Sequence, residues 1–153
     1  MQIIISKDYP EVVVPLIEAA KTNLDILMYH WGYYSDLANS GIQKLNLAIK
    51  SAIIRGVTTR ALLEIGSGAD NLRTRNSETL NHLKSWGASV KFHHGGGRLH
   101  SKLLLIDKTI AVVGSHNFSR NSMSSNVETS VTIEGSGNIR RLCDYFNLLW
   151  GQS

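Results

Sequence analysis

Cysteine is nearly missing from this sequence: Cys143 is the single one in 153 residues. One thiol can neither close an internal disulfide nor build a cysteine-rich metal site, so disulfide scaffolds and zinc fingers are excluded. Its setting, Ile139 to Phe146, reads as a helix face, where packing is its role. Long apolar runs are missing too. No stretch approaches the roughly 20 residues needed to cross a bilayer, which excludes a membrane span. The opening Met1-Gln2-Ile3-Ile4-Ile5 is strand-like, without a basic leader segment or small-residue cleavage site, so a cytoplasmic protein is expected. Internal repeats, low-complexity tracts and linkers are absent as well, and one domain over residues 1–153 is the expectation.

What is present is globular in composition, with 42% apolar and 18% charged residues, enough for a substantial core. The net charge of +4 points only weakly towards anionic partners. Its location says more: from Lys91 to Arg141 there are seven basic and three acidic residues, which accounts for the whole +4.

The pattern predicts a strand at Ile3–Ser6, a helix at Pro10–Asn23 and a strand at Leu24–Trp31. A helix follows at Gly41–Arg55, with Ile42, Leu45, Ala48, Ile49, Ala52 and Ile53 on one stripe and Gly56 as its stop. Val57–Ile65 is a strand, Gly66-Ser67-Gly68 a loop, Asn71–Trp86 a helix stopped by Gly87, and Ala88–His93 a strand. This alternation specifies an α/β fold: a mixed, largely parallel β-sheet covered by helices on both faces. After Gly95-Gly96-Gly97 the rhythm changes to three closely spaced strands, Leu99–Ile106, Thr109–Gly114 and Asn126–Glu134, and a closing helix at Asn138–Trp150.

The chemistry is concentrated in Leu99-His100-Ser101-Lys102-Leu103-Leu104-Leu105-Ile106-Asp107 and the following Gly114-Ser115-His116-Asn117. Side chains alternate across a strand, so His100 and Lys102 project to one side, Ser101 and Asp107 to the other. The same two-residue step relates Ser115 to Asn117 and Asn126 to Glu128. Such groups suit attack on a phosphodiester. Lys102, Ser115 and Asn117 can hold the non-bridging oxygens, and a neutral imidazole can attack phosphorus if an acceptor holds its second nitrogen. Glu128 is the candidate acceptor. The leaving oxygen needs a proton from a second group with a pKa near neutrality. The chain has one such motif, so a twofold pair of chains, each contributing His100, is the expected solution.

His100-x-Lys102-x4-Asp107, Gly114-Ser115-x-Asn117 and Asn126-x-Glu128 together resemble the signature of the phospholipase D superfamily, in its small single-motif nuclease branch, and the likeness in element order extends over nearly the whole chain. That resemblance implies a metal-independent phosphodiesterase working as a homodimer without a cofactor. It places the nucleophile at His100, phosphate binding at Lys102, Ser115 and Asn117, and the orienting role at Glu128. Asp107 belongs to the motif, yet strand parity makes it a salt-bridge or turn residue more than a chemical one. Arg98, Arg120, Asn126, Tyr29 and Trp31 are candidates for contacting substrate, with core packing the plain alternative for the two aromatics. Arg73 and Arg75 can track a nucleic-acid backbone or simply be solvated. His93 and His94 are possible proton donors, though loop histidines more often do nothing chemical, and His30 and His82 receive that plainer reading.

Three functions compete. The first is a nuclease acting on DNA or RNA with little sequence preference. The second, in the same chemistry, is a phospholipid-cleaving or phosphatidyl-transferring enzyme. The third is a non-catalytic nucleic-acid-binding module, or the cleavage domain of a larger restriction or repair protein. The basic segment favours the first.

Overall fold

A computed structural model describes residues 1–36, 38–66 and 71–153. Ser67 and Gly68, expected in a loop, lie outside the described residues. The chain runs β1 (Ile3–Ile5), α1 (Tyr9–Glu18), β2 (Asn23–Met28), α2 (Gly41–Ile54), β3 (Thr58–Glu64), α3 (Leu72–Trp86), β4 (Ser89–His93), β5 (Lys102–Ile106), β6 (Ile110–Gly114), β7 (Thr129–Glu134) and α4 (Ser136–Gly151). The strands form one sheet in the order β1-β7-β6-β5-β2-β3-β4.

The α/β class, the mixed sheet and helices on both faces are as expected. The parallel share is smaller. Only β2 with β3 and β3 with β4 pair in parallel, joined by the crossover helices α2 and α3. The other four pairings are antiparallel. The βαβ rhythm stops at β4, and the tight link between β5 and β6 permits only an antiparallel pair.

Each element carries its local reason. Ser40 caps α2 by accepting from Gln43 N at 3.3 Å. Gly87 ends α3 in the left-handed conformation, φ 109°, which has no steric cost for glycine. Pro15 lies inside α1, and the helix ends at Glu18, well short of Asn23.

Strand alternation sends Leu24, Ile26 and Met28 of β2 and Leu104 and Ile106 of β5 into a large core under α1, α2 and α3. Leu27, Leu103 and Leu105 point the other way, into a smaller core closed by Ile139 and Phe146 of α4. On that second face Asp25 is buried and holds Arg60 through two bonds, at 2.7 and 2.8 Å. The Arg60 guanidinium lies 4.7 Å from the centre of the Phe146 ring, tying α4 to the sheet.

Candidate active site

The site begins where β5 does. Lys102 pairs with Met28 at the first register position, and its side chain projects towards the same face as Leu104 and Ile106. Though buried, its ammonium is satisfied: Nζ donates to the His100 carbonyl at 2.7 Å and lies 3.3 Å from His100 Nδ1. An ammonium has a third N–H to offer an anion. His100 precedes the strand rather than lying in it, with its ring exposed.

Tyr29 packs against that ring at 4.8 Å between centroids. The same phenol faces Lys102 Nζ at 5.0 Å and accepts from Arg98 at 3.4 Å, so one aromatic spaces the imidazole and both cations. Tyr29 therefore stands where a groove residue was expected. Trp31 does not. β2 ends at Met28, the chain turns inwards, and Trp31 is 0% exposed, with its indole N–H donating to Asn46 Oδ1 at 2.8 Å. It is a core residue, and the expectation that it borders substrate is corrected.

Two buried residues that sequence reasoning missed hold this arrangement. Glu64, at the end of β3, accepts from Leu99 N at 2.6 Å and Gly66 N at 3.1 Å, pinning the segment that carries His100. Asn76 accepts from Trp31 N at 2.9 Å and donates to the carbonyls of Tyr29 and Glu64, both at 2.8 Å. The signals were there: a carboxylate closing an apolar strand, and an amide one turn from Leu72 and Leu80 on the buried stripe of α3.

The second half of the site comes from β6 and β7. Gly114 ends β6 where a Cβ would land on the Thr129 carbonyl and Ser130, which explains the glycine of Gly-Ser-x-Asn. Ser115 donates to Glu128 and accepts from Thr129 N at 3.0 Å. Glu128 also accepts from Ser122 Oγ at 2.9 Å and Asn126 Nδ2 at 3.1 Å. Within one chain, then, Glu128 orders the serine and asparagine rather than orienting His100, and Asn126, its partner, remains exposed. Asn117 Oδ1 accepts from His30 N at 3.2 Å, which leaves Nδ2 as the end for an anion. Arg98 and Arg120 are exposed on either side.

His116, at the variable position of the motif, is buried. Its Nε2 meets the Ser6 carbonyl at 2.8 Å and its Nδ1 the Ser130 hydroxyl at 2.7 Å. A carbonyl only accepts, so Nε2 carries the proton. This ring is a brace between β1, β6 and β7. Asp107 is structural as well: its carboxylate accepts from the backbone N–H groups of Lys21, Thr22 and Asn23 and from the Thr22 hydroxyl, stapling the end of β5 to the start of β2.

Electrostatics complete the picture. The Lys102 charge, then burial and Arg98, push the His100 pKa below that of ordinary imidazole, against an opposing pull from Glu64. Burial lowers Lys102, opposed by Glu128. Burial raises Glu128, but its hydrogen bonds from Ser115, Asn126 and Ser122 outweigh that and bring it below the usual carboxylate value. His93 is buried at the end of β4, 3.4 Å from Ser153 Oγ, while His94 is exposed. Tyr33 stacks on His82 at 3.7 Å. Among the described residues no three His, Cys, Asp or Glu side chains gather as a metal centre requires, and no helix is long and apolar enough to cross a membrane.

A seven-stranded mixed sheet that presents a neutral imidazole, an ammonium, a hydroxyl and an amide at adjoining strand ends belongs to the class of folds built to grip a phosphodiester. The comparisons name the class. Residues 13–150 match the family described as "Cardiolipin synthase, PLD-like domain", and the chain belongs to it, within the phospholipase D superfamily of phosphodiesterases. NucT from Helicobacter pylori superposes with a TM-score of 0.78 at 16% identity, covering 99% of this chain and 95% of that one. Nuc from Salmonella typhimurium, a phospholipase D family member, gives 0.77 at 19%, covering 99% and 93%. Cardiolipin synthase A from Pseudomonas aeruginosa is 35% identical over 91 residues, 59% of this chain but 18% of that protein, so this chain spans under a fifth of that relative's length.

Proposed function

We propose that the chain is a nuclease that cleaves DNA or RNA phosphodiesters through a covalent phosphohistidine on His100, at a site shared by two copies of the chain and without a divalent metal. The observation that carries the reading is the exposed His100 ring held between Tyr29 and Lys102, with the Lys102 ammonium 3.3 Å from Nδ1. A neutral His100 nitrogen attacks phosphorus. The P–N bond forms as the bond to the leaving oxygen breaks, and that oxygen takes its proton from the partner's His100. Water then attacks the phosphohistidine, giving up its proton to the partner's ring, and a phosphate monoester is released. Lys102, Ser115 and Asn117 stabilise the charge that develops on the non-bridging oxygens.

A second copy is supported by what surrounds the site. Each chain presents a single exposed motif histidine, so the acid that protonates the leaving oxygen is supplied by the His100 of a second copy. Beside the site the sheet face that carries α4 is uncovered at its edge, where Ile3, Ile5 and Val127 are 63%, 59% and 97% exposed.

A phospholipid substrate is favoured by the description of the matched family, by the 35% identity to a cardiolipin synthase, and by 22% identity to the human mitochondrial cardiolipin hydrolase over 88% of this chain. Incubating the protein with plasmid DNA, RNA and phospholipid vesicles in EDTA, beside His100→Ala, separates the readings. Cutting of nucleic acid by the wild type and not by the variant is expected. Head-group release from vesicles with nucleic acid left intact gives the lipid reading, and activity in the variant overturns both.

A further inference from the structure

Beyond Asn117 the surface opens into a hollow of about 550 Å³ that no step of the chemistry above uses, within the range of about 300–1,000 Å³ usual for small-molecule sites. His30, Tyr33, Tyr34, Arg75, Glu78 and Arg120 line it, and Asn117 and Asn126 join it to the phosphate site. A second hollow, of about 380 Å³, runs past His30 and Arg75 to Tyr29, the residue packed on His100. The two form one trough alongside the nucleophile.

The wall has a definite chemistry. The larger hollow contains aromatic rings, guanidiniums, amides, hydroxyls and one carboxylate, and the smaller one adds Leu72. An acyl chain could pack on the ring faces, but would desolvate the guanidiniums, amides and carboxylate between them. A flat heterocycle with a hydrogen-bonding edge fits. Tyr33 is a fixed plate, backed by His82 at 3.7 Å and by the edge of Trp86 at 6.0 Å. Tyr34 lies so close over Gly32 that any Cβ there would strike its ring. Arg75 and Arg120 are placed for flanking phosphates, while Glu78 and Asn121 offer polar groups to a base edge.

We propose that this hollow is a nucleoside subsite, which takes one unpaired base next to the phosphate being cleaved and makes single-stranded nucleic acid the substrate class of the site proposed above. A paired base is stacked within its duplex and cannot enter a concave pocket without being unstacked first. A single strand presents its bases freely, to be gripped by stacking on aromatic rings and by basic groups along its backbone.

The test compares three substrates: a short single-stranded oligonucleotide, its duplex, and bis(p-nitrophenyl) phosphate, a diester with no base to bind. The variants are Asn121→Trp, which fills the hollow, and Arg75→Ala, on the exposed face of α3. The readout is the ratio of kcat/KM on the oligonucleotide to that on the small diester. The wild type is expected to prefer single strand over duplex, and Asn121→Trp to lower the ratio about tenfold or more. Arg75→Ala should lower it less, and keeps the proposal open to refutation should the tryptophan variant fail to fold. Unchanged ratios in both variants overturn the subsite, as does equal cutting of duplex and single strand. So does an equal loss on cardiolipin vesicles, which would make the hollow a lipid head-group site. If the wild type cleaves none of the substrates, the nuclease reading fails instead. The subsite is then judged by fluorescence anisotropy of the labelled single strand: weaker binding by Asn121→Trp supports it, and unaltered binding overturns it.

Discussion

At the scale of single residues, reactivity depends on keeping one exposed imidazole neutral. Lys102, burial and Arg98 lower the His100 pKa, so the attacking form persists below the ordinary imidazole value of about 6.5. Removing a neighbouring positive charge must raise it. Arg98→Gln should therefore shift the acidic limb of the pH profile of kcat/KM to higher pH, and a limb that stays in place argues against His100 as the titrating group. His30 provides the matching stability test. Burial, aided by Arg75, lowers its pKa to about 4. The unfolded chain then takes up a proton between about pH 6.5 and 4 that the folded chain refuses, so stability falls as pH drops through that window. Urea unfolding of His30→Gln should show a weaker loss across it than the wild type, and an equal loss contradicts the assignment. The motif residues His100, Lys102, Ser115 and Asn117 were legible in the sequence because their spacing is itself the signal. Glu64, Asn76 and His116 were not, since each acts through backbone groups distant in the chain, and no local pattern encodes such a partner. Glu128 was found but given the wrong neighbour: parity aimed it at the site without saying which side chain would reach it first.

At the scale of elements, the strands and most of their ends were legible to within a residue; the exceptions are the end of β2 and the starts of β5 and β7, where the site lies. β5 begins at Lys102 and β7 at Thr129, which leaves His100 and Asn126 to Glu128 on the entering segments, where a bound group can approach. The turn between β5 and β6 was legible as a break after Ile106, but its conformation was hidden for a physical reason. Asp107 and Lys108 both have positive φ, 51° and 53°, the conformation of a tight hairpin that normally selects glycine or asparagine. Asp107 is compensated by its four donors, whereas Lys108 is exposed. Lys108→Gly should accordingly stabilise the protein by about 0.5–1 kcal/mol in thermal or urea unfolding; a loss of stability would mean that the lysine side chain is in use. Asp107→Ala should cost about 1–3 kcal/mol, because it removes the hydrogen bonds that the charged carboxylate accepts from residues 21–23. Burial raises the Asp107 pKa, but the hydrogen bonds outweigh it and the net shift is downward, so its contribution is present at neutral pH and lost as pH falls through the folded-state value. A variant as stable as the wild type at pH 7 would show that the staple contributes nothing.

At the scale of the whole molecule, the sheet is built asymmetrically. α1, α2 and α3 cover one face, and α4 alone serves the other, where its packing runs through Ile139 and Phe146. Composition and the βαβ rhythm made the α/β class legible, but the antiparallel half of the sheet had to come from the structure: a run of short strands does not say in which order they will lie. The shared site proposed above adds a second copy of the chain across a twofold axis that brings two His100 rings to one phosphate. The most direct test of that claim mixes wild-type and His100→Ala chains by co-refolding and measures cleavage per wild-type chain. If each site needs two His100 rings, a mixed pair is inactive, and at equal amounts activity per wild-type chain falls to about half. Activity per wild-type chain that stays constant at every mixing ratio would show that one chain suffices, and would contradict the shared site.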